Sequence, residues 1–236
     1  FALLLAVHLR DRAGKRATVA TQADLIREFV AKALGHRATP IEDLEGLLAR
    51  LAMLAIDRDG PVAVSEIGVG ADLRALLESR LVVPESGNSL RFTLRIFTEW
   101  FGAIALSCGE IDGNALVMNP HRLERWRGAI AVFLSAFNDQ EVTRVFLSIV
   151  VADPGFASEI LQDAIGKYEI EGETAGDALE SGKRIRLAMR AWSDGIGLVS
   201  ARFSMRRPDG TISPLGTASR EGWLTTGWYL GKETKD

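Results

Sequence analysis

The residues that most often carry chemistry are scarce in this chain. Of its 236 residues one is cysteine and three are histidine. A lone thiol, Cys108, cannot close a disulfide within the chain, which favours a reducing compartment. His8, His36 and His121 are far apart, and none has a second His, Cys or carboxylate at metal-ligand spacing; they read as surface or packing residues. Positive charge is in deficit, with 28 Lys and Arg against 31 Asp and Glu, a formal net charge of -3 and a pI near 5.8. Non-specific nucleic-acid affinity comes from clustered cations neutralising phosphate, so a polyanion is not the expected main partner. Long apolar runs are missing as well. Phe1-Ala2-Leu3-Leu4-Leu5-Ala6-Val7 is broken at once by His8, Arg10, Asp11 and Arg12. It is too short to span a bilayer, and it lacks a basic flank or a small-residue cleavage site. It reads as a helix of a longer, cytoplasmic protein with no membrane partner.

No phosphate loop of the Walker A type is present, because Gly14-Lys15 is followed by Arg16 and no glycine opens a cradle five residues before Gly14. Ser181-Gly182-Lys183-Arg184 resembles such a loop only superficially and falls within a predicted helix. Cys108 has no neighbouring base in sequence and reads as a boundary thiol. Glu42-Asp43 and Asp57/Asp59 belong to a helix start and a turn, where carboxylates meet free amides. No catalytic, cofactor-binding or metal-binding residue is therefore expected.

What is present is helix pattern with one hairpin. Residues Gln22 to Leu34 carry an apolar stripe of Leu25, Ile26, Phe29, Val30 and Ala33 after a capping Thr21. A helix follows Thr39-Pro40 and buries Ile41, Leu44, Leu47, Leu48, Leu51 and Ala55 before stopping near Asp57 to Gly60. Pro61 to Val64 suits a short strand, Ser65 to Gly70 a turn or short helix, and Ala71 to Ser79 a helix with Leu73, Leu76 and Leu77 inward. Leu81 to Val83 and Leu90 to Phe92 then form the arms of a hairpin, with Pro84 to Asn88 as turn residues. From Ile96 the period becomes helical, with Ile96, Trp100, Ala103 and Ile104 on one face. Helix, helix, short strand, helix, hairpin, helix is the order of a winged-helix domain, closing at about Leu106.

The same join carries a resemblance. Phe92-Thr93-Leu94-Arg95-Ile96-Phe97-Thr98-Glu99-Trp100-Phe101-Gly102-Ala103 resembles the F-x-H-x-x-F-Q-E-Y-F-A-A signature near the end of the winged-helix domain in NACHT-type STAND NTPases, the nucleotide-switched signalling and defence proteins. Phe92, Phe97, Glu99, Phe101 and Ala103 match, and Trp100 fills an aromatic slot. Leu94 departs, standing where many members have a histidine that reads the nucleotide. The resemblance implies a non-catalytic relay segment. ATP and Mg would belong to an upstream NTPase domain, a sensor region would follow, and the full-length protein would form a homo-oligomer when active. Arg95 and Glu99 are then candidates for contact with the NTPase domain.

Ser107 to Asn119, with Cys108-Gly109 and Asp112-Gly113, reads as a linker. Pro120 opens helices marked by Leu123, Trp126, Ile130, Phe133 and Phe137, then Val142, Val145, Phe146 and Ile149, then Phe156, Ile160, Leu161 and Ile165. Brief loops between them suggest a bundle or the start of an α-superhelix. Glu169 to Gly176 reads as an acidic loop before a last helix through Ile185, Met189 and Trp192. After Asp194-Gly195 the alternation of Val199, Ala201, Phe203 and Met205 reads as a strand, Arg207 to Gly210 as a turn and Gly222 to Leu230 as a second strand. The expected chain is thus mainly α: a winged-helix domain over 1–106, a linker over 107–119, a helical domain over 120–196, and a small antiparallel β element over 197–236 packed on the helices. The rival reading is a DNA-binding regulator with a C-terminal effector or dimerisation domain, using Arg74, Arg80 and Arg91 on the recognition helix and wing. Asp72, Glu78, Glu85 and Glu99 are interleaved with these arginines and would repel phosphate. An enzyme with a site in the C-terminal half has no positive feature behind it.

Overall fold

Apolar residues at helical spacing organise the chain, and in the computed structural model they form one connected core. Residues 22–35, 41–68, 70–137, 140–166, 175–200, 204–206 and 212–214 are described. Helix α1 spans Gln22–Leu34 and α2 spans Ile41–Arg58. A two-residue strand β1 (Val62–Ala63) leads into the single turn α3 (Val64–Ile67) and then α4 (Ala71–Glu78). Strands β2 (Val82–Glu85) and β3 (Ser89–Phe92) make the hairpin, and α5 (Arg95–Ser107) follows directly. The second half holds α6 (Gly113–Val117), α7 (Pro120–Ala136), α8 (Gln140–Ala152), α9 (Pro154–Gly166) and α10 (Ala175–Ser200). A separate strand pair, β4 (Ser204–Arg206) and β5 (Ile212–Pro214), lies beyond. The fold is mainly α with a small three-stranded antiparallel sheet.

That sheet has the order β1-β3-β2. Val62 faces Leu90 across the β1–β3 pair, and Val82 faces Phe92 across β2–β3. Leu90 and Phe92 point into the core while Arg91 is exposed, the alternation that period two demands. The turn of the hairpin has Gly87 at φ 81° and Asn88 at φ 57°, left-handed positions that suit glycine and asparagine. Pro84 and Glu85 extend β2 rather than starting the turn. The end of the hairpin is tied by Thr93, whose N–H and Oγ1 both donate to the Leu81 carbonyl, at 2.9 and 3.1 Å.

Helix α5 is the most apolar part of this arrangement, burying Phe97, Trp100, Phe101, Gly102, Ala103, Ala105 and Leu106. Phe97 stacks on Phe29 of α1 at 5.5 Å, Phe101 on Phe92 of β3 at 5.8 Å, and Trp100 lies against Phe137 beyond α7 at 5.9 Å. Arg27 of α1 sits over the Trp100 ring at 5.8 Å and donates to the Ala136 carbonyl at 3.1 Å, joining α1 to the end of α7. At Gly102 three helices meet: an added Cβ would lie 2.6 Å from Ile56 Cδ1 of α2 and 2.9 Å from Ala129 Cβ of α7.

Three further expectations change. Residues 107–119, read as a linker, contain α6, and Ile111, Gly113 and Leu116 are buried. A Cβ on Gly113 would come within 3.0 Å of the Val145 backbone of α8, so this glycine serves close packing. Asp194-Gly195 does not end the last helix, since α10 runs on through Val199 to Ser200. Gly195 faces α8, where a Cβ would fall 2.5 Å from Val150 Cγ1 and 2.7 Å from Val150 Cβ. The strand expected from Val199 is therefore shorter and later, and β4 pairs with Ile212–Pro214, with Met205 opposite Ser213. The expected strand Gly222 to Leu230, the opening helix from Phe1, His8, Gly14-Lys15, the caps Thr21 and Thr39, His36 and most of the acidic loop lie outside the described residues.

Replacing Gly195 with Ala should destabilise the chain by about 1 kcal/mol, because overpacking at about 1–3 kcal/mol outweighs the helix-propensity gain of about 1 kcal/mol. Urea titration should show a lower midpoint at unchanged slope, whereas a higher midpoint would mean that α8 and α10 part freely. Trp100, 4% exposed, should cost about 3–5 kcal/mol when cut to Ala, the usual range for a buried aromatic.

Candidate functional site

The start of α5 opens onto a cleft of about 440 Å³. Its walls come from the turn after α2 (Asp59, Gly60), the hairpin (Glu85, Arg91), the first turns of α5 (Arg95, Glu99) and the outer face of α7 (Arg125, Gly128). The chain path explains the gathering. β3 alternates, so Arg91 turns outward when Leu90 and Phe92 turn in, and α5 begins three residues after Phe92 with its charged residues on the side opposite Trp100. Arg95 and Glu99 are four apart and share one helix face.

Arg95 Nε donates to Glu99 Oε1 at 3.0 Å, and the two side chains differ sharply in exposure, 86% for Arg95 and 17% for Glu99. Glu99 is sheltered because α7 has a glycine beneath it: a Cβ on Gly128 would lie 2.4 Å from Glu99 Oε1. Arg91 Nε is 3.6 Å from Glu85 Oε2, a loose, half-exposed pair. Arg125 is exposed and has no ion pair among the described residues. The cleft thus joins Arg91, Arg95 and Glu99, which the sequence pointed to on separate grounds. Arg74 on α4 and Arg80 after it are exposed but do not line it. Leu94 precedes α5 with an extended backbone, gives no side-chain cap and is 39% exposed, so this position offers an apolar surface.

Behind the cleft lies a polar clamp between α2 and α7. Asp57 accepts from Arg122 Nε at 2.7 Å and Nη2 at 2.8 Å, and from the indole Nε1–H of Trp126 at 2.8 Å. Arg122 and Trp126 are four apart on α7, so one helix face presents both donors. Trp126 is fully buried, and its N–H would otherwise lack an acceptor there. Burial by itself would push the Asp57 carboxyl up; the hydrogen bonds from Arg122 and Trp126 and the charges of Arg122 and Arg125 outweigh it and hold the group below its ordinary 3.8. Reading Asp57 as a turn carboxylate that meets free amides misses this role. The available signal was weak: a carboxylate in the last turn of a helix is mildly disfavoured by the dipole, which a cation from another element offsets.

Other arginines brace the frame. Arg58 on α2 pairs with Glu66 on α3. Arg127 of α7 reaches Glu159 at 2.9 Å and Asp163 at 3.1 Å on α9, and Arg144 of α8 reaches Asp112 at 3.0 Å. Cys108 and His121 are exposed. Among the described residues no group of three or more His, Cys, Asp or Glu could hold a metal, and no helix is long and apolar enough to cross a membrane. No family model matches the sequence, and no curated protein matches it.

The clamp gives a signed pH dependence. Asp57 has a folded-state pKa depressed below its unfolded value, so its stabilisation is complete above the unfolded pKa and is lost as pH falls through the folded one. Replacing Asp57 with Asn should cost about 1–2 kcal/mol near neutrality, reduced from the usual charged hydrogen-bond value because both partners are partly exposed. The gap between the wild-type and variant unfolding midpoints should close as pH drops below about 4. A gap that persists at pH 2 would show that the carboxylate charge is not what Arg122 and Trp126 recognise.

Proposed function

We propose that this chain is a relay segment of a NACHT-type STAND NTPase: a winged-helix unit whose α5 face meets the NTPase domain, coupled to helices that lead toward a sensor region. The observation that carries this reading is the join of β3 to α5. Phe92, Phe97, Trp100, Phe101 and Ala103, the apolar and aromatic positions of the resemblance, are all buried, while Arg95 stands exposed at the mouth of a cleft. Arg95, at a position that the signature leaves variable, thus stays on the surface, bonded to the matched Glu99. The order of helices around an antiparallel sheet β1-β3-β2 agrees with a winged helix. On this reading nucleotide is held upstream by ATP- and Mg-binding elements outside this sequence. Exchange there alters the contact at Arg95 and Glu99, and α5 passes the change to α2 and α7. Active full-length molecules form homo-oligomers.

A second reading, a winged-helix transcription regulator, draws on Arg74 and Arg80, exposed on α4 and at its end with no ion pair among the described residues. Against it stand Asp72 and Glu78 on the same helix and the pairing of Arg91 with Glu85. Nanomolar, sequence-dependent duplex binding abolished by Arg91→Ala in a mobility shift would favour the regulator.

The relay reading expects no tight ATP binding and no hydrolysis by this chain, since a phosphate cradle and a Mg-binding hydroxyl are missing from the sequence. Calorimetry with ATP and Mg tests this, and micromolar binding with turnover would refute it. Arg95→Ala should leave the melting temperature of this chain nearly unchanged while altering nucleotide-dependent switching in the full-length protein; unaltered switching would remove Arg95 from the contact.

A further inference from the structure

We propose that Glu99 is the pivot of an exchange switch: it pairs with Arg95 while the α5 face is free, and with Arg125 of α7 when Arg95 is drawn away. The proposal rests on the relay reading only for what draws Arg95 away; the exchange itself belongs to this chain. Arg95 Nε holds Glu99 Oε1 at 3.0 Å, and among the described residues Glu99 makes no other ion pair. The two ends of that bond are unequally placed. Arg95 is 86% exposed and open to capture, whereas Glu99, 17% exposed, lies against Gly128 of α7 and stays behind when its partner leaves. A carboxylate so sheltered meets little water and is disfavoured without a cation.

Arg125 is the cation within reach. Arg122, Arg125 and Gly128 follow one another at three-residue spacing on α7. A Cβ on Gly128 would collide with Glu99 Oε1, and residues three apart on a helix have Cβ atoms about 5–6 Å from each other. An arginine side chain covers that span by a change of rotamer. Arg125 and Glu99 line the same cleft, and Arg125 has no ion pair among the described residues to give up. Arg91, the other cation of the cleft, is held at 3.6 Å by Glu85 on the hairpin. At the far end of the α7 row stands Asp57. Burial pushes its carboxyl up, and the charge of Arg125 is among the influences that hold it down. A swing of Arg125 toward Glu99 therefore takes positive charge from the Asp57 clamp, so the loss of Arg95 at the cleft mouth is felt where α7 meets α2.

The test is a double-mutant cycle between Glu99→Gln and Arg125→Ala, run on this whole chain by urea titration in two backgrounds. With Arg95 present the two changes should act independently on the unfolding equilibrium constant, giving a coupling factor near one. In the Arg95→Ala background the factor should rise to about threefold or more, the size of a favourable ion pair that is partly exposed. The indole N–H of Trp126, which donates to Asp57, gives a second readout by NMR on the folded chain. Its resonance should move in Arg95→Ala and return toward the wild-type position in Arg95→Ala/Glu99→Gln. The same coupling factor in both backgrounds, or a Trp126 resonance indifferent to Arg95→Ala, would overturn the proposal. Those failures differ from failure of the relay reading itself, which appears as ATP turnover by this chain or as unaltered switching in the full-length Arg95→Ala protein.

Discussion

The joining of the hairpin unit to the later helices depends on how closely α5 approaches α2 and α7 at Gly102. With no side chain there, Ile56 and Ala129 come within a distance that any Cβ would occupy. That contact lets a strongly apolar helix be covered on several sides at once, by α1 and α2 from one half of the chain and α7 from the other. Burial of large aromatic side chains is the main favourable term in such a core. The hairpin inherits its position from it, since β3 runs into α5 within three residues and Phe92 stacks on Phe101. The Asp57–Arg122–Trp126 clamp then fixes the rotation of α7 on α2, a directional constraint that apolar packing alone does not provide.

This construction bears on the proposed relay. A surface contact can be transmitted only through parts that move together, and packed cores shift between discrete arrangements rather than deforming smoothly. Arg95 and Glu99 sit on the first turns of the helix that joins the hairpin to α7, and Glu99 itself lies on Gly128 of α7. A partner that takes up Arg95 would therefore act on a side chain already in contact with the second half of the molecule.

Much of the helical frame was legible in the sequence because amphipathic spacing reports burial directly. The bounds of α1 follow from period and cap, the hairpin from its turn residues, and the split between inward Leu90 and Phe92 and outward Arg91 from period. Two of the misreadings share one physical cause. Asp112-Gly113 and Asp194-Gly195 carry turn composition, yet each glycine serves close contact with α8, a need that exists only once the partner helix is present. The same holds for Asp57, whose partners lie 65 and 69 residues away. The cleft was half legible: Arg95 and Glu99 stood out on the helix face, whereas Arg125 and Gly128 belong to it only through the packing of α7 on α5.

The central claim is that α5 binds the hairpin unit and the later helices into one cooperative body. Hydrogen exchange through a urea titration tests it most directly, following amides of β3 and α5 beside amides of α8 and α10. The account predicts a common midpoint and a common slope for both sets. Loss of protection in β3 and α5 while α8 and α10 stay protected would contradict it.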